Sequence, residues 1–212
     1  MMSELSIYIH WPYCLSKCPY CDFNSHVADK KIDQEEFLEL IEKEIDYHSK
    51  YIDNKKISSI FFGGGTPSLM DPSIIERILA HLFSRCNIEN DTEITMEANP
   101  TSVELQKFRD YSNIGVNRIS IGVQSLDNDD LKNLGRTHTA ELAIEAIGIA
   151  QKYFESVSID LIYARPGQNE KSWKLELERA LSLQTQHLSL YQLTIEPNTL
   201  YEKLYKSGKI KL

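Results

Sequence analysis

Apolar, β-rich segments alternate with longer amphipathic segments along the whole chain. The first group predicts about six strands, and they cover residues Leu5–Ile9, Ile57–Phe62, Glu93–Glu97, Arg118–Val123, Val157–Tyr163 and His187–Leu193. Between them the apolar spacing changes to that of helices. A strand followed by a helix, repeated about six times, is typical of an α/β protein with a parallel sheet and right-handed crossovers.

Capping residues indicate where several helices begin. Asp33, the Asp71-Pro72 pair and Thr101 are each suited to begin a helix, and Thr139 and Asn169 are plausible later starts. For the first two helices we expect one apolar face each, formed by Phe37, Leu40, Ile41 and Ile45, and by Ile74, Ile75, Ile78, Leu79 and Leu82.

The two faces of the later strands differ in polarity. In the fourth strand Ser120, Gly122 and Gln124 share one face, and in the fifth strand Asp160 lies on a comparable face. An open, doubly wound sheet would bury apolar residues on both faces. A small, polar face favours a curled, barrel-like sheet that encloses a ligand at the carboxyl ends of its strands.

Three cysteines follow the first strand within eight residues: Cys14, Cys18 and Cys21. Thiolates at this spacing favour an iron–sulfur cluster, and three ligands would leave one iron of a 4Fe–4S cubane open. A disulfide would strand one thiol, and a zinc site would need a fourth ligand such as His10 or His26. We expect Cys86 to be a small buried hydrophobic residue rather than a ligand.

Composition narrows the function classes. The formal net charge is −8 and the isoelectric point is about 5.3, so nucleic acid is a poor candidate partner. No apolar run reaches the length of a bilayer, so we expect membrane association to be peripheral at most. Without a recognisable signal peptide, four cysteines favour a reducing compartment, and we expect the cytoplasm.

Polar and glycine residues cluster where the predicted strands end. Gly63-Gly64-Gly65-Thr66-Pro67 follows the second strand, and it matches neither a P-loop nor a dinucleotide-binding fingerprint. Glu97 ends the third strand, Gln124 ends the fourth, Arg136 lies on the segment after the fourth, and Asp160 lies on the fifth. Such carboxylate, amide and guanidinium groups suit ribose hydroxyls, an ammonium and a carboxylate.

The cysteine loop together with the glycine-rich loop resembles the radical S-adenosylmethionine (radical SAM) superfamily. More specifically, the chain resembles the HemW family of haem chaperones, which is related to oxygen-independent coproporphyrinogen III oxidase. The motifs that carry this resemblance are Tyr8-Ile9-His10-Trp11-Pro12-Tyr13-Cys14, Cys18-Pro19-Tyr20-Cys21-Asp22-Phe23-Asn24-Ser25, Phe62–Ser68, Gly122-Val123-Gln124-Ser125, Leu134-Gly135-Arg136 and Leu193–Thr199.

The resemblance implies a partial (β/α)6 barrel, a 4Fe–4S cluster and S-adenosylmethionine (SAM). It implies that the cluster is bound by Cys14, Cys18 and Cys21. The methionyl end of SAM would contact Gly64, Gly65 and Thr66, and its charged groups would face Glu97 and Arg136. The ribose would be held by Gln124 and Asp160, and the cluster and adenine side would be lined by Tyr8 and Tyr20. Haem or a porphyrin, a haem-accepting protein and a reductant such as a flavodoxin or ferredoxin are the implied partners. The alternative is a true oxidase or another radical SAM enzyme of porphyrin metabolism.

Two departures bear on that choice. The oxidase family has a fourth cysteine where this chain has Phe23, which favours the chaperone family. Ala164 and Arg165 stand where family members usually have Gly-Leu, and we expect Arg165 to lie beside the ligand rim. Residues 1–212 are expected to form one radical SAM core domain, truncated before the C-terminal domain that family members carry.

Overall fold

One six-stranded parallel sheet organises the protein. The computed structural model describes residues 4–28, 32–52 and 55–211. Numbered in chain order, the sheet strands are β1 (Glu4–Trp11), β4 (Lys56–Gly64), β5 (Asn87–Ala98), β6 (Arg118–Gln124), β7 (Ser156–Tyr163) and β8 (His187–Gln192). They lie in chain order, so that β1 and β8 form the two edges of a curled half-barrel. All six predicted strands, and the predicted partial barrel, are confirmed.

Helices connect these strands. They are α1 (Gln34–Ser49), α2 (Pro72–Arg85), α3 (Ser102–Leu105), α4 (Phe108–Asn113), α5 (Asn128–Asn133), α6 (Ala140–Tyr153), α7 (Glu170–Ser182) and α8 (Leu200–Lys206). The five predicted starts are the N-cap residues of α1, α2, α3, α6 and α7. Four of these side chains accept a hydrogen bond from the first turn, whereas that of Thr101 does not.

Some elements were not predicted. The segment after Thr101 forms two short helices rather than one, and α5 and α8 are additional short helices capped by Asp127 and Thr199. A small parallel pair, β2 (Tyr13–Cys14) and β3 (His26–Val27), brackets the cysteine loop. A single 3-10 turn, Pro67–Leu69, follows the glycine-rich end of β4.

The two faces of the sheet have different surroundings, as the sequence pattern predicts. Ile119, Ile121 and Val123 of β6 are fully buried in the main apolar core. The opposite face of the same strand lines a cavity. The helices therefore cover the outer, apolar face, and the inner face is left for a ligand.

The predicted apolar face of α1 needs one correction. Leu40 is exposed, whereas Leu38 is fully buried, and Phe37, Ile41 and Ile45 pack against the core. At 100° per residue, Leu38 lies about 20° beyond one end of the arc spanned by Phe37, Ile41 and Ile45, whereas Leu40 lies about 60° beyond the other end. The face predicted for α2 is confirmed, because all five of its apolar residues are buried.

Candidate functional site

The three cysteines of the loop after β1 line one cavity. Cys14, Cys18 and Cys21 are half-buried free thiols, so no disulfide joins them. Backbone hydrogen bonds hold the loop, from Cys21 N to Cys18 O at 3.1 Å and from Ala28 N to Cys14 O at 3.2 Å. The sulfurs are thus presented by a loop whose conformation is fixed by its own backbone.

The glycine-rich end of β4 clamps this loop from one side. Gly65 N donates to Trp11 O at 2.6 Å, and Thr66 N donates to Tyr13 O at 2.9 Å. A Cβ atom on Gly65 would lie 2.6 Å from the carbonyl oxygen of Tyr13, so only glycine allows this approach. The hydroxyl of Thr66 also points at the sulfur of Cys14, at 3.6 Å.

Arg136 holds the loop from the other side. Its guanidinium donates to the sulfur of Cys18 at 3.4 Å, to the carbonyl of Gly122 at 2.9 Å and to the side-chain oxygen of Asn99. The amide nitrogen of Asn99 in turn donates to the hydroxyl of Thr66 at 3.1 Å. Asn99 therefore joins the two groups that contact sulfur, a role the sequence did not reveal beyond its place at the end of β5.

Two partly buried carboxylates form the acidic wall of the cavity. Burial raises the pKa of Glu97 to about 7, and the nearby charge of Asp160 acts in the same direction, although the amide of Gly64 at 3.2 Å opposes it. Burial also raises the pKa of Asp160, whose carboxylate accepts a hydrogen bond from Ser120 at 3.0 Å. Burial disfavours the charged form of these carboxylates, and a bound cation would stabilise it.

Ten of the twelve predicted site residues line the cavity. They are Cys14, Cys18, Tyr20, Cys21, Gly65, Thr66, Glu97, Gln124, Arg136 and Asp160. The cavity encloses about 290 Å³, at the lower end of the range for small-molecule sites. Other lining residues, which the sequence did not single out as ligand contacts, include Leu15, Phe23, Asn99, Ile162 and Tyr191.

Tyr8 and Gly64 lie beside the cavity rather than in its lining. Tyr8 is 57% exposed, its hydroxyl bonds to Nδ1 of His10 at 3.1 Å, and its ring stacks on Phe61. Gly64 has a φ of +115°, and a Cβ there would lie 2.7 Å from the His10 ring. The ligand contacts of these two residues stay predictions.

The expected position of Arg165 is wrong. Its side chain does not line the cavity but lies behind β6 and β7, where it is 5% exposed. There it contacts Asp130 and Glu176, two carboxylates from separate helices. Buried arginine requires such partners, and these pull the side chain away from the rim.

Cys86 is also less buried than predicted. It caps the end of α2 and is half-buried rather than fully buried, and it packs against the main core. Burial raises the pKa of its thiol. Its position outside the cavity lining agrees with a packing residue.

The donor set fits a multinuclear cluster better than a zinc ion. His10 uses both ring nitrogens, since Nε2 donates to the carbonyl of Asn24 at 2.9 Å and Nδ1 accepts from Tyr8. His26 is exposed on β3, outside the cavity lining. Across residues 4–28, 32–52 and 55–211, no three His, Cys, Asp or Glu side chains converge tightly enough to hold a single metal ion. A cubane distributes its thiolates over several irons and fits three spaced sulfurs.

A parallel half-barrel with three cysteines at the carboxyl end of its first strand defines the class of protein. Residues 8–180 match the family described as the Radical SAM superfamily. The chain therefore belongs to the radical SAM superfamily, whose members bind a 4Fe–4S cluster and SAM.

Curated relatives show which members of this superfamily the chain resembles. The chain is 43% identical over 201 residues to the heme chaperone HemW of Escherichia coli K12, which covers 94% of this chain and 53% of the relative. It is 40% identical over 210 residues to the mitochondrial radical S-adenosyl methionine domain-containing protein 1 of Danio rerio, covering 99% and 47%. The chain spans about half the length of these curated relatives.

A solved structure agrees with the fold. Coproporphyrinogen III oxidase (HemN) from Escherichia coli, a radical SAM enzyme, superposes with a TM-score of 0.88 at 27% identity. The match covers all of this chain and 49% of that one. Archaeal Elp3 shares the fold at a TM-score of 0.65 and 18% identity.

Proposed function

We propose that Cys14, Cys18 and Cys21 bind a 4Fe–4S cluster through three of its irons. The three thiols share one cavity, and among the residues that the structure describes its lining offers no histidine and no fourth cysteine. One iron would then lack a protein ligand and be open to a cofactor. Thr66 and Arg136, which contact Cys14 and Cys18, would hold the sulfurs by hydrogen bonds to them.

We propose that SAM occupies the rest of this cavity. Its ammonium and sulfonium would meet the acidic wall of Glu97, and its carboxylate would meet Arg136. Gln124 and Asp160, on the inner faces of β6 and β7, would hold the ribose hydroxyls. With both cofactors bound, one-electron reduction of the sulfonium becomes available, while the protein orients the groups and excludes water.

We propose that the protein acts as a haem chaperone of the HemW type. The observation that carries this proposal is the 43% identity to HemW over 94% of the chain. Phe23 supports it, because a side chain that is 58% exposed at the cavity mouth stands where the oxidase family has its fourth cysteine. A haem-accepting protein would be the partner, and a flavodoxin or ferredoxin the electron source.

We propose a reducing compartment, the cytoplasm, and a partner other than nucleic acid. Within the ranges that the structure describes, no helix is long and apolar enough to cross a membrane. Free thiols suit a reducing compartment such as the cytoplasm. The net charge of −8 disfavours RNA, and tight, salt-dependent RNA binding would contradict the proposal.

The cluster is tested by iron content after anaerobic reconstitution. Replacement of Cys14, Cys18 or Cys21 by Ala should abolish bound iron and the brown colour. Cys86→Ala is the matched control and should retain both, because Cys86 lies outside the cavity. Equal loss of iron from Cys86→Ala, or bound zinc in the wild type, would contradict the proposed cluster.

The chaperone function is tested against the oxidase alternative on the same reconstituted protein. Haem titration should show stoichiometric binding, and incubation with reductant, SAM and coproporphyrinogen III should give no protoporphyrinogen. Formation of protoporphyrinogen would support the oxidase instead. Failure to bind haem at all would contradict the chaperone.

A further inference from the structure

Arg165 is a buried cation that the proposed cofactor contacts do not use. It follows β7 in the loop Ala164–Gly167 and lies outside the cavity lining. Its side chain is only 3% exposed, and its Nε has no hydrogen-bond partner within residues 4–28, 32–52 and 55–211. A buried charge needs compensation, so its partners reveal what it holds in place.

The guanidinium bonds to four different segments. Nη1 donates to the carbonyl of Ile162 at 2.6 Å and to that of Gln124 at 3.3 Å. Nη2 donates to Asp130 Oδ2 of α5 at 2.8 Å and to Glu176 Oε2 of α7 at 2.5 Å. One side chain thus ties the ends of β6 and β7 to the helices behind them.

Glu176 extends this network along the residues that follow β6. Its Oε1 accepts hydrogen bonds from the hydroxyl of Ser125 at 2.6 Å and from the amide of Leu126 at 2.8 Å. Together with the bond from Arg165 to Gln124, these contacts fix three consecutive residues from the side opposite the cavity. The carboxylate of Glu176 is itself largely buried.

Gln124 is the residue of this segment that needs support. Its φ is +66°, in the left-handed region that non-glycine residues seldom adopt. The register between β6 and β7 also shifts between Ile121 and Gln124, and such a bulge redirects a side chain. The result is that Gln124 lines the cavity.

We propose that Arg165 is a positioning residue that acts through Gln124 and sets how tightly the cavity holds the adenosyl part of its ligand. This inference rests on the proposed SAM site. Arg165 fixes the backbone of residues 124–126 through Gln124 O and through Glu176. Without it, the buried carboxylate of Glu176 would lose its counter-charge and the segment would relax.

The first test uses the protein without cofactors. Hydrogen exchange should be faster at residues 124–127 in Arg165→Leu than in the wild type, and unchanged at residues 34–49 of α1. Arg109→Leu, which removes an exposed arginine from α4, is the matched control and should leave both regions unchanged. Unchanged exchange at residues 124–127 in Arg165→Leu would overturn the positioning role.

The second test measures SAM binding by calorimetry on the reconstituted protein. Arg165→Leu should weaken binding by about tenfold, the change that the loss of about one hydrogen bond produces, with unaltered iron content. In a double-mutant cycle, Arg165→Leu should add little to Gln124→Ala, because both act through one side chain. Additive losses, or loss of iron, would overturn the route through Gln124.

Two further results separate a failure of this inference from a folding defect and from a failure of the proposed SAM site. If Arg165→Leu does not fold, combining it with Glu176→Gln removes the more deeply buried of the two carboxylates left without their arginine, and should restore folding but not tight SAM binding. Full binding by that double variant would overturn the inference. If the wild type itself does not bind SAM, the proposed cofactor site fails, whereas the exchange experiment still decides whether Arg165 holds residues 124–126.

Discussion

The partly buried carboxylate of Glu97 predicts a measurable pH dependence of stability. In the folded protein its pKa is raised from 4.5 to about 7. Between these values the folded state keeps a proton that the unfolded chain has lost, so folding becomes less favourable as pH rises. At about 1.4 kcal/mol for each pH unit, this difference in pKa lowers the free energy of unfolding by at most about 3.5 kcal/mol.

The substitution Glu97→Gln isolates this contribution. Glutamine keeps the size and can still accept the hydrogen bond from the amide of Gly64, but it does not titrate. In urea unfolding of the apoprotein, the free energy of unfolding of the wild type should fall by up to about 3 kcal/mol relative to that of Glu97→Gln between pH 4.5 and 7. Above about pH 8 the difference should be constant, because the carboxyl is then largely ionised in both states.

A control and a refuting result complete the experiment. Glu39→Gln, an exposed position on α1, should follow the wild type across the whole range. A difference between wild type and Glu97→Gln that does not change with pH would refute the raised pKa. If SAM binds as proposed, its positive charge should lower the pKa of Glu97 and release up to about one proton near pH 6.5, measurable by calorimetry in two buffers.

Other substitutions test the geometry around the cavity. Gly65→Ala should destabilise the protein by about 1–3 kcal/mol and reduce iron uptake, since its Cβ would meet the Tyr13 backbone, whereas Gly148→Ala in α6 meets nothing and should stabilise by about 0.5–1 kcal/mol. Ala164→Gly should raise the free energy of unfolding by about 1 kcal/mol, because Ala164 has a φ of +58°. Tyr111→Phe should cost about 1–2 kcal/mol, because its buried hydroxyl donates to the carbonyls of Ser68 and Met70. Chemical denaturation measures all of these, and unchanged midpoints would contradict the respective contacts.

Local patterns along the chain were sufficient to predict the sheet. Period-two alternation in β6 separated Ile119 and Ile121 from Ser120 and Gly122, and the structure places the first pair in the apolar core and the second pair in the cavity lining. Because the carboxyl ends of parallel strands meet at one edge, residues distant in sequence, such as Glu97 and Asp160, could be expected in one place.

The errors concern features that depend on distant partners. Arg165 was misplaced because its carboxylate partners lie 11 and 35 residues away, on helices whose relative positions the sequence does not specify. The helix expected after Thr101 is interrupted, and Lys107 at the break donates to the carbonyls of Leu69 and Met70 in the turn after β4. Tertiary hydrogen bonds of this kind override a helical pattern.

The backbone clamp between Gly65, Thr66 and the cysteine loop has a consequence for how the metal centre is assembled. Because Trp11 and Tyr13 are held by main-chain bonds that involve no sulfur, we expect the thiol-bearing loop to be ordered without iron. Little conformational entropy then remains to be lost on insertion of the inorganic core. Oxidative loss of iron should accordingly leave a folded apoprotein that can be reloaded without refolding.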